Sequence, residues 1–532
     1  MSHPPRRRAA ARPRPLRRLL AGLALWPALV LAGCSGEGGT GSTGAGADAG
    51  EGRPATLTIA LQAEGMTLDP HAATDAGSMR LIENMHASLM RYAEDYPDVE
   101  KDLLADYEVG EDLKTFTLTL REGLRFHSGR PVRASDVAYS LNRINEKGVR
   151  NEALRGLDAI EVVDERTAVL RFDAPMAPLM TYLAHPMWAI VDREVVEAND
   201  GRLDRADAGC GPFTLVEWAK DRRCVLERFE GYHVEGLPKV GRLVYRPIPD
   251  ESARTIALST GEVDLVLDVP VQSIASLEGE AGVSATSSPG TFWEYLGFNC
   301  DEPPFDDARV RRAAAWAVDR GALARAIKRG RATPLRGGHV PPHHWAHADF
   351  EAYPEPRPEK ARALLEAAGL GEGVEAELIV TSAAPYQVAA AEAVKQMLRE
   401  VGFDITLRRL EPTLFFQRLN KRRFQMTLVG WVGFVDPDQW LYPIYHSSGA
   451  YNQQGYADAG VDALLEEGRA TADRDARRSI YRRAQQRIAA DAPTVFLYVN
   501  EQVSAYGDHV EGFDVHPTGA TISLRETSIA GR

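Results

Sequence analysis

The sequence predicts an α/β protein of two or three lobes, on three observations. Helical and extended patterns alternate through the second half of the chain, as in an α/β lobe. The first half carries strand-rich stretches of its own. The 532 residues, 44% hydrophobic and 26% charged, have an ordinary globular composition but outrun a single hydrophobic core.

The chain opens on a segment that is not part of the body. Arg6, Arg7, Arg8, Arg12, Arg14, Arg17 and Arg18 precede the apolar run Leu19 to Leu31, and no acid occurs in residues 1–33. The run falls short of the roughly 20 apolar residues a membrane span needs, so it reads as a secretory signal. Leu31-Ala32-Gly33-Cys34 resembles the lipobox of bacterial lipoproteins. That resemblance implies acylation of Cys34 and cleavage before it. Arg17-Arg18-Leu19-Leu20 is similar to a twin-arginine signal, and the export route stays open. Residues 35–54 (SGEGGTGSTGAGADAGEGRP) lack large apolar groups and predict a flexible tether.

The body begins with a strand at Ala55 to Leu61. Phe116, Leu118 and Leu120 alternate with threonines, which predicts a half-exposed strand over Thr115 to Leu120; Val137, Leu141 and Ile144 then mark a helix over Ala134 to Ile144. Phe213 to Trp218 and Cys224 to Phe229 read as a hairpin around Ala219-Lys220-Asp221-Arg222, with Glu217 opposite Cys224. A strand Leu243 to Ile248 and a helix Ser252 to Thr260 follow. Beyond lie one long helix Arg309 to Arg329, a helix from Pro358 to Ala368 ended by Gly369, strand Glu375 to Thr381, helix Val388 to Val401 and strand Asp404 to Glu411. Helices Val461 to Arg469 and Arg474 to Asp491 and the strand Thr494 to Val499 close the series.

Cys34 apart, the chain has Cys210, Cys224 and Cys300. The hairpin leaves Cys210 about seven residues, or ~24 Å, from the partner of Cys224, against the ~4.4–6.8 Å a bridge needs. Buried thiols are expected.

Several segments spread over the body resemble the oligopeptide and dipeptide family of solute-binding proteins of ABC importers. They run in family order: Leu68-Asp69-Pro70-His71, Leu103 to Asp106, LREGLRFHSGRPVRASDVAYSLNRI over 120–144, Gly209-Cys210-Gly211-Pro212-Phe213, Glu227-Arg228-Phe229, Gly231-Tyr232, Ile248-Pro249-Asp250, Ala257 to Asp264, Phe298-Asn299, Pro303 to Arg311, and Ala317 to Arg320. The resemblance implies a bilobed periplasmic-binding-protein clamshell, type II, of the large peptide-binding cluster. Its three domains would be I (55–98, 208–297, 500–532), II (99–207) and III (298–499), after the signal at 1–33 and the tether at 34–54. Solute would lie between the lobes and favour the closed form. A monomer is expected, working with separate permease and ATPase chains, extracytoplasmic and held to the membrane by lipid on Cys34.

Gly430 to Asp438 is similar to the family's ligand-side segment in domain III, which implies Trp431 as an aromatic wall and Asp436 or Asp438 as a carboxylate facing solute. Peptide-binding members place an aspartate for the peptide amine about where Phe434 stands. Dipeptide binders put an arginine before a Pro-Tyr pair, whereas Ala384 precedes Pro385-Tyr386 here. A zwitterionic dipeptide would lack both counter-charges, so a longer peptide or another solute fits better. Trp293 and Tyr295, beside Phe292, offer stacking faces to ligand or pack a core. Gln62, Glu64 and Tyr386 are further candidates.

His339, His343, His344 and His347, with Asp349, form the one dense cluster of imidazole and carboxylate, a chemistry that suits nickel, copper or zinc. Pro341 and Pro342 preclude a regular helix, the resemblance implies a proline-rich loop near the cleft mouth, and a solvated loop is expected. No metal or other cofactor is therefore expected, a nickel-type chelate or a sugar being the alternative cargo. The sequence lacks GxSxG, HExxH, P-loop and CxxC motifs, so no catalytic residue and no enzyme is expected; an exported hydrolase is the contrasting reading. Without the seven arginines of the signal the formal charge of −13 becomes −20, which disfavours nucleic acid as a partner.

Overall fold

The computed structural model describes residues 55–432 and 435–531; the signal, the tether with Cys34, and Phe434 lie outside the described residues. Thr56–Leu61 starts a long sheet because Leu57 and Ile59 are fully buried on one face of a β-branched run. It pairs in parallel with Arg242–Pro247 and with Leu265–Val266. The chain between the first two of these strands builds a separate four-stranded antiparallel sheet, in the order Leu104–Val109, Thr115–Leu120, Thr167–Phe172, Leu157–Val162. Phe116, Leu118 and Leu120 face its core, with Leu141 and Ile144 of the helix Ala134–Lys147 packed against them.

A second lobe follows the same physics with helical crossovers. Val374–Thr381 pairs in parallel with Phe403–Leu410 and with Met426–Val432. The helices Pro385–Arg399 and Pro412–Asn420 make the connections that parallel strands require. Ala390, Val394 and Leu398 of the first helix enter the core beside Leu378, Val380 and Phe403. No described helix is long and apolar enough to cross a membrane.

Two long strands belong to both halves. Val283–Phe298 and Thr494–Gly507 pair antiparallel from Val283 opposite Gly507 to Gly297 opposite Thr494, and the register shifts between Pro289 and Trp293. There Gly290 lets the backbones touch: a Cβ on it would lie 2.4 Å from the Asn500 carbonyl oxygen. Gly209 has a similar role where the chain returns from the four-stranded sheet to the long one, since a Cβ there would lie 2.0 Å from the Met85 carbonyl oxygen. The architecture is the bilobed α/β clamshell that the sequence resemblance implies.

Three sequence expectations change. The helix expected from Arg309 to Arg329 is two, Ala308–Ala317 and Arg320–Lys328. Asp319 breaks it, because its side chain accepts from Ala322 N at 2.8 Å and caps the second helix. The hairpin register moves by one, to Trp218 opposite Cys224, with a bulge between Leu215 and Glu217. Asp221 takes φ +56°, so the connection is the three-residue loop Lys220-Asp221-Arg222 rather than a four-residue turn. The last strand runs on to Gly507 rather than ending at Val499. Cys210 and Cys224 are buried free thiols and Cys300 is a half-buried one; burial pushes the Cys224 thiol up to about 12.

Candidate functional site

Open α/β sheets bind ligands beyond the carboxyl ends of their parallel strands. In the second lobe those ends are Thr381, Leu410 and Val432, followed by Tyr386 and preceded by Trp431. In the first they are Leu61, Pro247 and Val266, followed by Gln62, Glu64 and Asp268. The two edges meet at the shared strands. Tyr386, 40% exposed, covers the Lys328 ammonium at 3.9 Å from its ring centre. Desolvation and the charges of Glu294 and, from the opposite edge, Asp268 hold its hydroxyl above the ordinary range. Glu294 is fully buried on a shared strand, accepting from Tyr498 Oη at 2.7 Å and pairing with Lys328 Nζ at 3.1 Å. Arg80 pairs with Asp268 at 3.2 Å.

Trp431 is half-buried at the end of its strand. It meets Tyr451 edge-on at 5.0 Å, and the Arg150 guanidinium of the other lobe lies 5.5 Å from each ring. Tyr451 Oη donates to Val149 O at 2.7 Å. The buried Trp431 Nε1 has no hydrogen-bond partner among the described residues.

The carboxylates beyond Trp431 are already engaged. Asp436, 2% exposed, accepts from both terminal nitrogens of Arg477 at 2.8 and 2.7 Å. Burial alone would lower the Arg477 pKa, but the facing carboxylate outweighs it and holds the pKa above its ordinary value. Asp438, fully buried, takes Arg469 Nε at 2.9 Å and Tyr182 Oη, from the other lobe, at 3.0 Å. The segment thus ties the lobes together through Asp438.

The other candidates separate. Trp293 is fully buried against Tyr295 at 5.0 Å, Phe496 at 5.8 Å and His339 at 4.8 Å, and Tyr295 is buried with it, so both belong to the core. Glu64 accepts from Trp218 Nε1 and, at 2.9 Å, from Asp221 N, which spends both its oxygens on the first lobe's hairpin. Gln62 is exposed at the strand end.

The histidines do not converge. His339 is fully buried among Trp293, Tyr445 and Phe496, and burial lowers its pKa from 6.5 to about 3. His344 Nε2 meets Val435 O at 3.1 Å, His347 Nδ1 meets Val340 O at 2.8 Å, and His343 packs on Tyr96 at 5.2 Å. Among the described residues no group of three or more His, Cys, Asp and Glu is arranged to hold a metal ion. The segment expected as a solvated loop is instead largely packed, because its rings fill the second lobe's aromatic core.

Sequence reasoning missed Arg150, Tyr451, Glu294 and Lys328. Glu294 had a signal: an acid within the run Phe292 to Leu296 needs a buried partner. Arg150 had none.

A two-lobed α/β body with opposed carboxyl edges, shared strands and bonds across the gap is a solute-binding clamshell. The sequence model described as bacterial extracellular solute-binding proteins, family 5 Middle, matches residues 98–452, and the chain belongs to that family. Its members are extracytoplasmic and bind substrates for transporters; they are not enzymes. The glutathione-binding protein GsiB of Salmonella typhi is 27% identical over 474 residues, 87% of this chain and 92% of that one. The PBP AgaA of A. tumefaciens R10, solved with agropinic acid, shares 28% identity at a TM-score of 0.81, covering 90% of this chain and 99% of that one. The periplasmic binding protein DppA of Helicobacter pylori, solved with the peptide STSA, has the same fold at 24% identity and a TM-score of 0.79, covering 89% and 98%.

Proposed function

We propose that this chain captures a peptide or peptide-like solute between its lobes and delivers it to an ABC permease energised by a separate ATPase. The observation that carries the reading is the Trp431 wall at the second lobe's carboxyl edge, faced across the gap by Arg150, its N–H without a hydrogen-bond partner among the described residues. The relatives support it, one being a binder of glutathione, a tripeptide. Domain limits near 98, 207, 297 and 499 belong to the same proposal; the last falls inside the strand Thr494–Gly507, which the two lobes share. Trp431 and Tyr386 are the candidate contacts with solute, and lipid on Cys34 holds a monomeric body at the membrane that contains the permease.

Native mass spectrometry of protein purified from its own envelope tests the reading. A retained peptide is expected. A bound metal complex or sugar would replace peptide with the alternative cargo, and turnover of peptide by metal-free protein would point to a hydrolase. Release of Cys34→Ala protein from the membrane fraction tests the anchor.

A further inference from the structure

We infer that the segment Val435 to Gln439 is a latch that holds the two lobes together in the absence of solute. The latch consists of contacts of the chain with itself, whatever the cleft carries.

Its tip is an apolar plug. Val435 belongs to the second lobe by sequence, yet it is 1% exposed within the first lobe's apolar cluster, the one that holds Leu179 and Leu183. Alone of the second lobe's described residues it enters that cluster. Parting the lobes would return the side chain to water and leave a gap in the core it fills, and each of these costs free energy.

The plug is shaped before it docks. Gln439 Oε1 accepts from Val435 N and from Asp436 N, each at 3.1 Å, and Asp436 Oδ1 accepts from Asp438 N at 2.9 Å. Arg477 holds Asp436, and Trp440 and Leu441 root the helix Asp438–Tyr445 in the second lobe's core. A loop already stiff loses little entropy when it meets its socket.

Polar bonds then seat the plug. Gln439 donates from Nε2 to Thr181 O at 3.1 Å, so one amide both shapes the segment and fastens it to the other lobe. Tyr182 Oη donates to Asp438, and beside them Ala177 N donates to Arg469 O at 2.9 Å. Ala177, Thr181 and Tyr182 form one short stretch of the first lobe around the helix Leu179–Tyr182. Each of these donors finds its acceptor on the chain itself, so closure has a driving force in the empty protein. The latch sets the closed population, and solute adds only its differential affinity for that form.

The Ala177 amide gives the readout, because its acceptor lies across the lobes. The test is amide hydrogen exchange and small-angle scattering on the full chain, freed of co-purified solute by unfolding and refolding in guanidinium and shown empty by native mass spectrometry. In the empty wild type the Ala177 amide should exchange about 100-fold or more below the rate of a free peptide. Val435→Asp, which sets a charge in the socket, should raise that rate about tenfold or more and enlarge the scattering radius, and Val435→Thr should do so by less. The helices Ala134–Lys147 and Arg474–Asp491 should keep their protection in both variants, which shows each lobe still folded. Should Val435→Asp lose those helices as well, Val435→Thr carries the comparison. Free-peptide exchange at Ala177 in the empty wild type overturns the inference, since the lobes then part without solute. An Ala177 rate and a radius unchanged by folded variants overturn it too. A metal complex or sugar found in place of peptide would replace the cargo and leave the latch standing.

Discussion

Within eight residues the chain places two kinds of charged environment side by side. At one end the half-buried Trp431 ring meets Tyr451 edge-on, with the Arg150 guanidinium of the other lobe 5.5 Å from both rings. At the other, Asp436 and Asp438 are sealed in the interior, each matched to an arginine at hydrogen-bonding distance. The difference teaches which charges a protein reserves for itself. A saturated buried pair fixes geometry and has nothing left to give a ligand, whereas the half-buried Trp431 ring keeps part of its surface for a guest.

Breaking the sealed end should have the largest effect. Asp436→Ala leaves Arg477 buried and uncompensated and should destabilise the fold by about 3–5 kcal/mol in chemical denaturation; a loss under about 1 kcal/mol would show the pair to be solvated. Next comes pH. Burial holds neutral His339 at about 3 against 6.5 when unfolded, so its contribution is complete above pH 6.5 and is lost as pH falls toward 3. The slope approaches about 1.4 kcal/mol per pH unit. His339→Leu should flatten the fall between pH 6.5 and 4 without loss at neutral pH, because neither ring nitrogen has a partner among the described residues. Identical pH slopes in both proteins would place that loss elsewhere.

At the open end, Trp431→Ala should weaken solute binding at least tenfold, about 1.4 kcal/mol, with little change in melting temperature. Unchanged affinity by calorimetry removes the ring from the site. The smallest effect belongs to the contact by which the sealed end reaches the other lobe. Tyr182→Phe deletes the bond to Asp438 and should cost about 0.5–1.5 kcal/mol of closure, read as a few-fold weaker affinity. If affinity and small-angle scattering stay the same, closure does not depend on that bond.

Local chemistry made much of this readable. Arg474–Asp491 was legible to the residue because Asp473 caps it and apolar positions recur at helical spacing. The strand Val283–Phe298 was not, since its first half, VSATSSPG, carries turn residues and becomes extended only by pairing with a partner far along the chain. The site divides in the same way. Trp431 stood out in its segment, but the partners of Asp436 and Asp438 come from distant helices, so a carboxylate that looks available in sequence is already spent. Arg150 acquires meaning only when Trp431 and Tyr451 arrive from the other lobe.

The two shared strands bear on how this molecule can be divided. Thr494–Gly507 pairs with Leu265–Val266 of the first half and Ala332–Pro334 of the second, and Val283–Phe298 pairs with it and with Met426–Val432 of the second. Excising either lobe would therefore sever strands of the other and expose raw sheet edges, which seek foreign strands to pair with. The lobes are inherited as one: neither can be shuffled, truncated or produced alone, and exchange of binding specificity between relatives must proceed through the loops at the carboxyl edges instead of by trading lobes.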